Sequence, residues 1–247
     1  MKNYFNAMTM CFSMFCAIPS PFKKWDEEAK NYMLLFLPLV GAVIGGIWTA
    51  AAYLLKMTSL PGVIIAAILT ALPFILTGGI HFDGFLDVSD AVRSYKDLPE
   101  RIKILKDPNV GSFAVLNGIL LILLMFALFT EAKDDANIFS LLLIPVVSRT
   151  VAAICVTTMK PLETSEYNNE DKAKTSKAII LTIILIAVVA AGFIFTGRCG
   201  LVSAAVLLGY AVSLLRAVKS LKGISGDISG YALTIAELCG IAVFALI

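Results

Sequence analysis

The sequence predicts an all-α, polytopic integral membrane protein with about seven transmembrane helices, six to eight in all. Hydrophobic residues make up 59% of the 247-residue chain and charged residues only 15%, well below the roughly 25% of an ordinary soluble domain. The apolar residues form runs long enough to cross a bilayer, and short charged segments separate these runs. We therefore expect residues 1–247 to form a single membrane-embedded domain.

The first apolar run, residues 4–18, is short for a full span, which needs about 20 residues. Three placements stay open for it: a short transmembrane helix, a re-entrant segment, or a helix in the membrane interface. Pro19 and Pro21 end the run. Seven longer apolar segments follow, at residues 31–55, 57–82, 110–130, 136–159, 178–197, 199–215 and 231–247.

The second of these segments is expected to be irregular at its end. It contains Pro61, Pro73, Gly78 and Gly79, residue types that kink or terminate helices. A broken helix is tolerated at membrane depth only where it lines protein or a cavity. We therefore expect a kink or an unwound end there, facing protein or a cavity.

The distribution of Lys and Arg orients the spans. Of the twenty basic residues, fifteen lie in four alternate connections, at residues 21–30, 83–109, 160–177 and 216–230. The intervening connections carry one basic residue each, Lys56, Lys133 and Arg198. Because basic residues concentrate on the cytoplasmic side of membranes, the basic face is expected to be cytoplasmic. The polar motifs described below lie on or near that face.

Three carboxylates, Asp83, Asp87 and Asp90, follow the second span. Their i, i+4, i+7 spacing places them within roughly a 60° arc if the segment is helical. Carboxylates on one helical face repel one another, so the pattern favours a cation between them, and Mg²⁺ binds carboxylates together with substrate phosphates. A solvated helix start would explain Asp83 alone. The neighbouring Gly84 would let backbone or phosphate approach closely.

Two further motifs flank this segment. His81, the only histidine, is either a hydrogen-bonded structural residue or a group that binds a phosphate or transfers a proton. Lys106 and Asp107 precede Gly111 and the third span, where helix N-terminal amides could hold an anion. The alternative for this second motif is an ordinary basic loop with a turn.

Two more candidate sites lie later in the chain. Arg149 interrupts an apolar segment, where an unpaired charge is costly, so it either reaches a substrate phosphate or pairs with Glu237 in the last span. Residues 223–230 form a glycine-rich segment that contains Gly226 and Asp227. Such a segment is either a linker or a source of turns and amide donors for phosphate, with Asp227 as a ligand for a second metal or a ribose hydroxyl.

Together these motifs resemble the cobalamin synthase family, also called adenosylcobinamide-GDP ribazoletransferases. Residues 79–91 fit the pattern G-x-H-x-D-G-x-x-D-x-x-D with the histidine, the glycine and the three aspartates named above. The segments around Lys106, Arg149 and Asp227 resemble later family motifs in the same order. Residues 15–21 are similar to the family's opening, although Ala17 stands where an arginine is common.

The resemblance implies a Mg²⁺-dependent membrane phosphotransferase that acts in the last steps of cobalamin biosynthesis. A ribose hydroxyl of α-ribazole, or of its 5′-phosphate, would attack the cobinamide-linked phosphate of adenosylcobinamide-GDP. GMP would leave, and adenosylcobalamin or its 5′-phosphate would form. The resemblance also implies the plasma membrane of a prokaryote with the active face cytoplasmic. The partners would be the two substrates and the lipid bilayer, with no nucleic acid.

Residue roles follow from the resemblance in the same way. Asp83 and Asp87 are the expected first metal ligands, and Asp90 is the third ligand or the base. His81 could also act as the base. Lys106 and Arg149 would neutralise the negative charge of the pyrophosphate. The remaining expected substrate-binding residues are Gly84, Asp107, Gly226 and Asp227.

Two other interpretations stay open at this point. A CDP-alcohol phosphotransferase-like enzyme also uses aspartates at the membrane face, but its D-G-x-x-A-R signature differs from the Asp-Gly-Phe-Leu found here. A transporter or divalent-metal channel would use intramembrane charges such as Arg149 and Glu237 along a permeation path. That class predicts acids spread through the spans, whereas the aspartates of this chain lie in polar connections.

Overall fold

The computed structural model describes residues 2–19, 25–133, 136–162 and 174–247, and this part of the chain is helical with connecting loops and no strand. Short 3-10 helices, Met33–Phe36 and Gly197–Gly200, precede two of the long helices. The α-helices are α1 (Lys2–Phe15), α2 (Glu27–Lys30), α3 (Leu37–Lys56), α4 (Gly62–Thr77), α5 (Ile80–Arg93), α6 (Leu98–Leu105), α7 (Ser112–Thr130), α8 (Ser140–Thr158), α9 (Lys174–Thr196), α10 (Leu201–Leu221) and α11 (Gly226–Leu246).

Six helices in the described ranges are long and apolar enough to cross a membrane: α3 with its preceding 3-10 turn, and α7 to α11. The pair α4 and α5, bent by 94° at a short break, makes a seventh candidate span. The prediction of an all-α polytopic membrane protein is therefore confirmed. With 14 residues, α1 is too short to be one of these candidates.

The bend between α4 and α5 occurs at two glycines. Gly78 and Gly79 have φ angles of 62° and 79°, a region that residues with a side chain rarely adopt. The Gly78 amide donates to the carbonyl of Ile75, and the Gly79 amide donates to that of Phe74, which closes the end of α4. The predicted irregular end of the second span is confirmed here, while Pro73 lies inside α4.

Residues 83–109 and the glycine-rich segment at residues 223–230 are largely helical, although the sequence favoured loops for most of both segments. Residues 83–109 contain most of α5 and all of α6, because Phe85, Val88 and Ala91 recur at helical spacing and are buried. In the glycine-rich segment, α11 already begins at Gly226. The Ser225 hydroxyl caps this helix by accepting the Ile228 amide at 3.2 Å.

The most enclosed helices are α8 and α11. In each, 67% of the spanning window is buried inside the protein, against 11% for α9. Both helices are less apolar than α9, because their polar side chains face protein instead of lipid. The centre of the bundle is therefore where the chain places its intramembrane charges, and α11 packs there against α5, α7, α8 and α10.

Candidate active site

The candidate site is built on the crossing of α5 and α11, where two glycines allow the backbones to touch. A Cβ at Gly84 would lie 2.8 Å from both the Cα and the carbonyl oxygen of Asp227. A Cβ at Gly230 would lie 3.2 Å from the carbonyl oxygen of His81. The Thr234 hydroxyl donates to that same carbonyl at 3.1 Å. The backbone approach predicted for Gly84 is therefore made by α11.

This crossing brings a fourth carboxylate, that of Asp227, close to the acidic triplet of Asp83, Asp87 and Asp90. The charges of Asp83, Asp227 and Asp90 all act on Asp87, although Asp227 lies 137 or more residues away in the chain. Asp83 and Asp227 are exposed, and Asp87 is half-buried. A concentration of negative charge that is open to solvent favours the binding of a cation.

Asp90 is directed to a different partner from the other carboxylates. Gly111 is the N-cap of α7, and a side chain at this position would overlap the Asp90 carboxylate. The amides at a helix N-terminus attract anions. The N-terminus of α7, where the sequence suggested that an anion could bind, thus already faces a carboxylate of the protein itself.

The described residues contain no group of three histidine, cysteine, aspartate or glutamate side chains that meets as a ready-made metal site. Mg²⁺ does not require one, because it commonly binds through one or two carboxylates, substrate phosphates and retained water. Asp83, Asp87 and Asp227 supply oxygens of the right chemistry for that mode. Metal binding by Asp83, Asp87 and Asp90 stays a prediction.

A cavity of about 370 Å³ lies at the same crossing. Its walls are mostly apolar and come from α1, the 3-10 turn before α3, α8 and α11. Its polar lining is His81, Lys106, Ser225, Asp227 and Ser229. A concave space with apolar walls and a few charged groups suits a small organic molecule that carries both a ring and a polar or charged group.

His81 lies between this cavity and a smaller one of about 20 Å³. Its Nδ1 atom is buried and has no hydrogen-bond partner among the described residues. Its ring packs 5.8 Å from that of Phe15. Because buried polar atoms in proteins are almost always paired, this nitrogen is expected to find its partner in water or in a bound molecule.

Arg149 is paired inside the bundle. It is 1% exposed, and it donates to Glu237 at 2.5 Å, while the Ser148 hydroxyl donates to the same carboxylate oxygen at 3.0 Å. The structure thus contains the Arg149–Glu237 pair that was one of the two interpretations from the sequence. The pair lines the 20 Å³ cavity next to His81, and a substrate contact by Arg149 stays a prediction.

In the connection from α6 to α7, the neighbouring residues Lys106 and Asp107 have different surroundings. Lys106 is exposed and lines the large cavity. Asp107 does not line it and instead accepts from the backbone amide of Asn109 at 2.9 Å and from its side chain at 2.7 Å. These hydrogen bonds, the backbone one first, hold the pKa of Asp107 below its usual range. Asp107 therefore shapes the turn that carries Lys106.

Sequence reasoning missed Ser225, which caps α11, and Thr234, which donates to the His81 carbonyl. A signal was present in α11, because Asp227, Gly230, Thr234 and Glu237 follow one another at i, i+3, i+7 and i+10. That spacing defines one face of a helix. Extending the last predicted helix back to residue 226 would have placed Thr234 on the same face as Asp227.

Comparison with known proteins agrees with the motifs. A model of the family described as cobalamin-5-phosphate synthase matches residues 7–245. The adenosylcobinamide-GDP ribazoletransferase of Clostridium perfringens strain 13 is 34% identical, with 100% of each chain covered. That of Clostridium botulinum strain Alaska E43 is 32% identical, with 98% of this chain and 97% of the relative covered. No solved structure matches. The chain belongs to the cobalamin-5-phosphate synthase family.

Proposed function

We propose that this membrane enzyme joins adenosylcobinamide-GDP to α-ribazole, or to α-ribazole 5′-phosphate, and releases GMP. The relatives named as ribazoletransferases match the chain over its full length, which supports the reaction class. The observation that carries the proposal is the α5–α11 crossing. It joins Asp83, Asp87 and Asp227 to a mostly apolar cavity that also contains His81 and Lys106.

The reaction needs positioning and charge neutralisation more than covalent chemistry. A ribose hydroxyl forms a new P–O bond at the cobinamide-linked phosphorus while the phosphoanhydride bond breaks and GMP departs with its electron pair. Asp83, Asp87 and Asp227 are the residues that would hold Mg²⁺, which would neutralise phosphate oxygens when bound. Lys106 would bind a phosphate oxygen from the cavity side.

The attacking hydroxyl must lose a proton during this step. His81 lines the cavity and has a ring nitrogen with no partner in the described residues, so it is one candidate to accept that proton. A carboxylate of Asp83 or Asp87 that is not engaged by metal is the other. Asp90 is a weaker candidate than the sequence suggested, because its carboxylate faces the start of α7.

The active face would be cytoplasmic. Lys106, Asp227 and the acidic triplet all lie on the face to which the basic connections belong, and basic connections mark the cytoplasmic side. A prokaryotic plasma membrane fits this arrangement. A transporter would place Arg149 and Glu237 along a permeation path. In this structure the two side chains form an ion pair with each other, which does not favour a transporter.

The test is an endpoint assay on detergent-solubilised protein with adenosylcobinamide-GDP and either α-ribazole or its 5′-phosphate. Cobamide and GMP are quantified with Mg²⁺ present and after chelation. Equimolar cobamide and GMP, formed only with Mg²⁺, would support the proposal and would identify the accepted acceptor. Folded protein that forms neither product with either acceptor would refute it.

A further inference from the structure

A second lateral cavity, of about 290 Å³, lies between α5, α7, α10 and α11. None of the candidate active-site residues lines it. Its polar lining includes Arg93, Arg216 and Tyr231, and its apolar wall includes Leu120 and Leu124 of α7. The reaction proposed above makes no use of this cavity.

The two arginines form its charged end. Both are exposed, and they line the same cavity from two different helices, α5 and α10. Among the residues that the structure describes, no carboxylate lies within ion-pairing distance of either guanidinium. Arginine is well suited to bind phosphate, because its planar guanidinium can donate two parallel hydrogen bonds.

The cavity continues as an apolar groove of about 550 Å³ between α10 and α11. The two spaces share Arg216 and Tyr231, and the groove extends to Val243. From residue 231 to residue 243 a helix rises about 18 Å. That length is close to one leaflet of a hydrocarbon core that is about 30 Å thick.

The floor of the groove is closed because α10 and α11 approach each other closely there. Gly209 lines it, and a Cβ at this position would lie 2.8 Å from the Sγ atom of Cys239. Its rim consists of exposed aliphatic side chains, including Leu208 and Val212, each 67% exposed. A chain of methylene groups is the occupant that such a surface fits in a bilayer.

We propose that this groove binds one anionic phospholipid of the cytoplasmic leaflet. Its phosphate would lie between Arg93 and Arg216, and one acyl chain would follow the groove along α10 and α11. Basic pockets between transmembrane helices on the cytoplasmic side are suited to anionic headgroups. Such a lipid would tie α5, the helix that carries the acidic triplet, to α10.

Native mass spectrometry on delipidated protein in detergent tests this proposal without any activity measurement. Phosphatidylglycerol and phosphatidylcholine with identical acyl chains are added in equal amounts, and retained lipid is counted on each protein. Two arginines near a headgroup predict a roughly thirtyfold preference for phosphatidylglycerol in the wild type. Equal retention of the two lipids would overturn the proposal.

Three variants locate the site. The double variant Arg93→Gln/Arg216→Gln is expected to lose the preference. The control Lys96→Gln/Lys103→Gln, with the same change in charge on exposed residues of the same face, is expected to keep it. Phosphatidylglycerol retained equally by the arginine and lysine variants would show only a general attraction to basic protein.

The third variant, Val212→Trp, leaves both arginines in place and fills the rim of the acyl groove. It is expected to retain less phosphatidylglycerol than the wild type. Unchanged retention would overturn the acyl part of the proposal. Because Val212 is exposed to lipid, this variant also provides an answer if the arginine variant fails to fold.

Discussion

Gly84 of α5 lies against the backbone of Asp227 of α11, with room for a hydrogen atom but not for a methyl group. This contact fixes how near the carboxylates of the two helices come to one another. The glycine in the central motif is therefore explained by helix packing. The close approach to a phosphate that was also considered for Gly84 stays a prediction.

Gly84→Ala is expected to reduce the rate of product formation at least tenfold and to lower stability by about 1–3 kcal/mol, because an added methyl group overpacks the crossing. The measurements are the endpoint assay and thermal unfolding in detergent. Gly46→Ala in α3 is the matched control, since a Cβ there meets nothing within 4 Å. Equal behaviour of the two variants would show that the crossing tolerates the methyl group.

Gly111→Ala is expected to displace the Asp90 carboxylate from the start of α7. The backbone at Gly111 has a φ of −83°, which alanine adopts freely, so the clash with Asp90 is the cause of any loss. A double-mutant cycle with Asp90→Ser isolates this term. We expect Gly111→Ala to cost stability in the wild type and little in the Asp90→Ser background; equal costs in both would contradict the contact.

The buried pair of Arg149 and Glu237 predicts an asymmetry between single and double replacement. Arg149→Met and Glu237→Met each leave one buried charge unpaired and are expected to cost about 3–5 kcal/mol. The double variant Arg149→Met/Glu237→Met is expected to recover most of that stability, measured by thermal unfolding in detergent. If the pair is structural, the double variant also keeps its activity.

A double variant that is stable but inactive would instead assign Arg149 to a substrate phosphate. Arg198→Met is the control for loss of an arginine, because Arg198 is exposed. It is expected to change neither stability nor activity.

Lys106→Ala is expected to raise the KM for adenosylcobinamide-GDP roughly tenfold, because it removes a positive charge from the cavity that would receive the pyrophosphate. Lys103→Ala is the control, since Lys103 belongs to the same helix end, is exposed and does not line the cavity. Steady-state kinetics over a range of substrate concentrations make the comparison. Equal KM values for the two variants would remove Lys106 from the site.

Patterns that are local in sequence predicted much of the architecture. Hydropathy located the spans, the Gly78–Gly79 pair located the break, and the spacing of Asp83, Asp87 and Asp90 predicted one helical face. The predicted bounds of the polar connections were wrong, because α6 and the start of α11 lie within them. In α5 the buried face contains only small and apolar residues between the acids.

The composition of the site could not be predicted in the same way. Asp227 reaches the acidic triplet through glycine contacts between helices far apart in the chain, and nothing in the spacing of either segment encodes that contact. The orientation of Asp90 toward Gly111 likewise depends on where α7 begins in space. For Arg149, the sequence left two partners open, and packing of α8 against α11 pairs it with Glu237.

In the proposed reaction, α5 and α11 together supply the carboxylates that act with Mg²⁺ on the substrate. Product formation is measured against Mg²⁺ concentration for Asp83→Asn, Asp227→Asn and the control Glu100→Gln. Glu100 is an exposed acid in the first turn of α6. Both aspartate variants are expected to need at least tenfold more Mg²⁺ for half-maximal rate, and the control is expected to match the wild type. An Asp227→Asn variant with the wild-type rate and Mg²⁺ dependence would show that α11 supplies no metal-binding carboxylate.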